Sequence, residues 1–143
     1  MLLPSEIESK SLIPAVRAIL AKKLSNEHSL KEDEIARMLG VTQAAVSNYV
    51  RGTRGDTQLV EKLSDVPEVM RMIDDITRDV ATNNTFGASS MSKYIALFNY
   101  IRQSLLICDV HHALEKDIDE GVCKTCESNL LKRNYARRKF VKQ

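Results

Sequence analysis

Tryptophan is absent from this chain of 143 residues, glycine occurs only five times and proline three times. So little turn-forming material excludes a many-stranded β-architecture, and an all-α fold is expected. Long apolar runs are missing too. The most apolar stretch, "YIALFNYIRQSLLICDV", is interrupted by Asn99, Arg102 and Gln103, so no membrane span and no membrane partner are expected. "MLLPSEIESK" meets acidic residues before any apolar leader core forms, and no secretory leader is read there. With three cysteines, an odd number, a disulfide framework is not expected, and a cytoplasmic protein is. No phosphate-cradling glycine loop and no nucleophile elbow occur, and the Asp74 and Asp75 pair reads as a solvated helix face. Catalysis is therefore not expected, and no small-molecule substrate is evident.

A net charge of +2, from 21 basic and 19 acidic residues, is too small to demand a polyanionic partner. Its distribution says more. After Glu127 the tail "SNLLKRNYARRKFVKQ" carries Lys132, Arg133, Arg137, Arg138, Lys139 and Lys142 and no acid. That is either a local footprint for a polyanion or a solvated basic end.

Three parts are read along the chain. Residues 1–56 hold several short helices. Residues 57–87 hold one or two connecting helices, with Pro67 ending the first or starting the second, and then the polar linker "TNNTFGASS". Residues 88–143 hold a long helix from about Ser90 to about Lys116, then the turn "DIDEGV", a Cys-x2-Cys pair and the basic tail. On the long helix Met91, Tyr94, Phe98, Ile101, Leu105, Cys108 and His112 recur at spacings of three and four. Such a stripe needs an apolar cover, supplied by the chain's own middle helices or by a second copy in a homodimer.

The stretch "GVTQAAVSNYVRG", residues 40–52, is the most specific. Gly40 can end the preceding helix in a left-handed conformation, and the Thr42 hydroxyl can cap the next. At about 100° per residue, Val46, Tyr49 and Val50 share one side of that second helix. Gln43, Ala44, Ser47, Asn48 and Arg51 lie on the other. Amide side chains beside small residues suit the major groove of double-stranded DNA, where they pair with base edges at close backbone approach.

Ala36, Gly40 and Val46, together with the "GVTQAAVSNYVRG" string, resemble the Cro and phage-repressor (XRE) class of helix-turn-helix transcriptional regulators, in its archaeal form. The likeness covers about residues 28–56. It implies a phage-repressor type DNA-binding domain in which Gln43, Ala44, Ser47 and Asn48 read bases. Thr42, Arg51 and Arg54 would hold phosphates, with Lys31 also within reach of the backbone. Glu32, Asp33 and Glu34 depart from the class: they suit a helix N-terminus but repel phosphate.

Cys108, His111, His112, Cys123 and Cys126 form the second group. Positions three and four apart share a helix face, so Cys108 can converge with either histidine. Three thiolates and one imidazole make a tetrahedral zinc set; the alternative is an iron-sulfur cluster, and the metal-free alternative is a redox Cys-x2-Cys. A metal clip would supply the folding free energy that the segment after Lys116 lacks in apolar residues. The expected protein is thus a dimeric, sequence-specific DNA-binding transcriptional regulator with a long dimerisation helix and a small metal-clipped C-terminal segment, responsive to metal or redox state. A coactivator or bridging factor, in which the metal segment would precede the helix pair, and an antitoxin are the alternatives.

Overall fold

The computed structural model describes residues 1–52 and 57–131, and every ordered element among them is helical. Two expectations lie outside the described residues: the Arg54 phosphate contact and the basic tail from Lys132 onward.

The first rod is α1 (Pro4–Ile7), a π-helical turn (Glu8–Leu12) and α2 (Ile13–Asn26). Proline inside a regular helix loses a hydrogen bond and collides with the carbonyl four residues back. The wider turn, closed by the Ile13 N–H donating to the Glu8 carbonyl, makes room for Pro14. α2 buries Ala15, Val16, Ala18, Ile19, Leu20, Ala21 and Leu24, so it is covered on most sides. It is the central helix, and α3 (Glu32–Leu39), α4 (Gln43–Arg51), α5 (Thr57–Ser64) and α6 (Pro67–Asn83) pack on it. Pro67 starts α6, at a position where its missing N–H costs nothing.

α7 (Ala88–Gln103) packs along α6, and α8 (Leu106–Leu114) returns to α1. Ile35, Val46, Leu63, Ile73, Ile76, Leu97, Ile101 and Ile107 join α2 in one cluster of buried side chains. Each such side chain contributes about 1.5–3 kcal/mol on burial. Polar pins fix the helices laterally. Asp79 near the end of α6 accepts from Ser90 Oγ at 2.5 Å and Ser89 Oγ at 3.2 Å, clamping the start of α7. Lys23 of α2 reaches Asp74 of α6 at 2.7 Å. Glu8, which is 8% exposed, receives the Arg102 guanidinium through both carboxylate oxygens.

The expected single helix over residues 90–116 does not form. Its two halves are separated at Ser104 and Leu105, and Leu105 stands in the left-handed region at φ 63°. The break changes the helical phase, so α8 buries Ile107 and Val110 while Leu105 and Cys108 are only partly covered. Within α7, Ile101 of the expected stripe is buried, Tyr94 and Phe98 are partly buried, and Met91 is 48% exposed. The chain's own helices therefore cover the middle of the stripe. Leu97, which does not belong to it, is fully buried.

α9 (Glu120–Leu130) begins at Asp119, whose carboxylate accepts from the Val122 N–H at 3.0 Å. It buries no residue completely.

Candidate nucleic-acid interface and thiol cluster

The turn between α3 and α4 is built from three local devices. Gly40 adopts φ 66° and ψ 35°, a left-handed conformation that costs an L side chain energy but not glycine. The Val41 N–H returns to the Ala36 carbonyl at 3.1 Å, satisfying one of the last carbonyls of α3. Thr42 Oγ1 then accepts from the Ala45 N–H at 3.0 Å and starts α4. Against α2, α4 buries Ala45, Val46 and Tyr49, with Val50 partly covered.

The opposite face of α4 is open. Thr42, Gln43, Ala44 and Arg51 are exposed, and Ser47 and Asn48 are half-buried; Asn48 is already engaged within the chain. Gln43 and Ala44, in the first turn, are thus the least encumbered of the expected base readers. Lys31 is exposed at the N-terminus of α3, the end of that helix remote from the Gly40 turn, with Glu32, Asp33 and Glu34 beside it. Lys22 was not singled out from sequence. Its Nζ stands 3.8 Å from where a Cβ at Gly52 would lie, placing a cation at the C-terminus of α4 near Arg51. Only the packing of α2 on α4 makes that neighbourhood, so the sequence held no signal for it.

The second group converges between α8 and α9. Cys108, His111 and His112 of α8 and Cys123 and Cys126 of α9 line one cavity of about 80 Å³, closed by Met1, Leu2, Leu3, Pro4, Ile118 and Val122. All three cysteines are free and half-buried. Cys123 Sγ and His112 Nε2 lie 3.5 Å apart. Burial pushes the Cys108 thiol up, and the neighbouring Cys126 and Cys123 push it further, followed by Glu127 and Asp109. Burial, then Cys123, raises the Cys126 thiol. His111 turns toward Glu115, 3.6 Å away, and its buried Nε2 has no hydrogen-bond partner among the described residues. Glu115 also accepts from the Leu2 N–H at 2.5 Å and lies 3.9 Å from the Met1 ammonium. The N-terminal wall of the cavity was not foreseen, because residues so distant in sequence leave no spacing to read.

The donor types fit a thiophilic metal. Ligand bonds of about 2.3 Å to sulfur and about 2.0–2.1 Å to nitrogen, set tetrahedrally, put the two ligand atoms about 3.6 Å apart, close to the Cys123 to His112 separation. As the side chains stand, no three His, Cys, Asp or Glu groups among the described residues are close enough together to hold an ion. Thiol reorientation within the cavity is needed to complete a set.

No protein family, curated protein or solved structure matches this chain. Among the described residues no helix is long and apolar enough to cross a membrane.

Proposed function

We propose that this protein is a sequence-specific DNA-binding transcriptional regulator, a binding protein rather than an enzyme, with α3 and α4 acting as a helix-turn-helix. The observation that carries this reading is the capped, glycine-turned helix pair whose second helix buries one side on α2 and leaves Gln43 and Ala44 exposed in its first turn. Recognition helices present the N-terminal residues to base edges, where a glutamine can pair bidentately with adenine and an alanine permits close approach. Ser47 and Asn48 extend the base-reading face; Thr42, Arg51 and Lys22 hold phosphates.

Reading a two-fold symmetric site requires a second copy. The second copy would meet this one through α7 where Ile95 is 53% exposed, away from the residues that line the groove beside Gly40. Half-sites would then recur about 34–36 Å apart.

The test is selection of bound sequences from random duplexes, followed by titration of Gln43→Ala on the selected site and on unrelated DNA. The expected outcome is a loss of about 1–3 kcal/mol on the selected site only. Equal losses on both, or no enriched sequence, would refute the assignment.

Cys108, Cys123 and Cys126 would hold zinc, with an iron-sulfur cluster as the alternative, and His112 is the favoured fourth ligand because it already approaches Cys123. His111 is the less favoured, being directed at Glu115. Bound metal would supply a structural cross-link between α8 and α9. Protein purified without oxygen should carry about one zinc per chain, and Cys123→Ser should lose both the metal and thermal stability. Unchanged metal content in that variant removes Cys123 from the ligand set.

A further inference from the structure

A groove of about 350 Å³ opens between α2, the α3 turn and α7. Its floor is apolar: Met38, Leu39, Phe86, Met91 and Tyr94. Phe86 and Tyr94 meet edge to face, with centroids 5.7 Å apart and planes at 82°. Its polar groups are two guanidinium ions, Arg17 from α2 and Arg37 from α3. Arg17 lies beside the Tyr94 phenol, drawing it down against the larger upward push of burial. Neither arginine forms an ion pair among the described residues. Lys23, Arg71, Arg78, Lys93 and Arg102, none of which lines the groove, each have a carboxylate partner.

Two guanidinium groups without a carboxylate partner among the described residues, above an aromatic and thioether floor, describe the complement of one kind of ligand. Arginine binds carboxylates through a planar fork and stacks on aromatic faces, whereas methionine adapts to an apolar body. The volume is that of a small-molecule site, and such sites are mostly apolar with few orienting charges. We propose that this groove binds a small aromatic carboxylate, its carboxylate held by Arg17 and Arg37 and its ring seated on Phe86, Tyr94 and Met91. Gly40, the pivot of the α3–α4 turn, lines the same groove, so an occupant touches the element that sets the angle of α4. That consequence rests on the DNA-binding function proposed above; the binding event does not.

The probe is 2-naphthoate, titrated into the full chain by calorimetry, with 2-methoxynaphthalene as a neutral analogue of similar ring size. The expected result is saturable binding with a Kd at or below about 1 mM, weakened about tenfold in Arg37→Gln and in Met91→Glu, and about tenfold weaker for the neutral analogue. Both positions are solvent-exposed, and an unchanged circular dichroism spectrum shows that the fold is kept. Equal affinity for the two ligands, indifference to both substitutions, or no saturation by about 5 mM would each overturn the proposal. Loss of naphthoate binding as the chain self-associates would assign the groove to a second copy and also overturn it. Because none of these readouts involves DNA, failure of the DNA-binding reading would leave a positive result standing.

Discussion

Replacing Gly40 isolates the conformational demand of the α3–α4 turn from every other interaction. Its φ of 66° lies in the left-handed region, and a Cβ added there meets no atom within 4 Å. Gly40→Ala therefore introduces no collision, and the whole effect comes from backbone conformation. Left-handed geometry costs an L residue roughly 1–2 kcal/mol, and alanine also restricts the unfolded chain, which offsets part of it. The net expectation is about 1 kcal/mol, a shift in Tm of about 4 °C for a chain of this size. Gly40→Asn should lose about half as much, since asparagine visits the left-handed region more readily. Chemical denaturation with linear extrapolation measures all three proteins, and an unchanged m-value shows that the two-state comparison holds. Identical stability for glycine, alanine and asparagine would mean that the turn relaxes into another conformation. A loss above about 3 kcal/mol would mean a buried contact at this position, contrary to the open space around it.

Arg102→Gln leaves the Glu8 carboxylate largely buried without its counter-ion, and should destabilise by about 2–3 kcal/mol, below the full cost for a buried pair because Arg102 itself is partly solvated. Replacing both residues with leucine should recover most of that loss in a double-mutant cycle; additive losses would refute the coupling. The Ser90 hydroxyl, with Ser89 and Lys93, holds the Asp79 carboxyl below its ordinary range. Its stabilisation is therefore complete above the ordinary carboxylate range and disappears as pH falls through the depressed folded-state value. Asp79→Asn should flatten that acid limb of the stability profile, and an unaltered limb would exclude Asp79 as its source.

The parts of the fold that were legible in the sequence are those set by neighbours along the chain. Gly40, Thr42 and the Val46, Tyr49 and Val50 face behaved as their spacing implied, because caps and amphipathic faces are decided within one or two turns. Pro67 likewise starts a helix where its missing N–H is harmless. The break in the long C-terminal helix is not legible in the sequence for the opposite reason. Leucine at position 105 carries no helix-breaking signal, and its left-handed backbone is imposed by how α7 lies on α6 and α8 on α1. Spacing also identified the cysteines and histidines as one group. It could not show that Met1 to Pro4 wall their cavity, or that Glu115 competes for His111, since those contacts are tertiary.

α9 buries no side chain completely, and that sets the accessibility of the thiols on it. Elements held by few buried apolar contacts detach at a small fraction of the global unfolding free energy. In the metal-free chain, Cys123 and Cys126 therefore become reachable through a sub-global opening in which α2 and its neighbours stay folded. Their labelling by a thiol reagent should follow the equilibrium of that local detachment, remaining indifferent to core substitutions that lower overall stability. Oxidants or electrophiles can thus act on α9 while the α3–α4 pair remains folded.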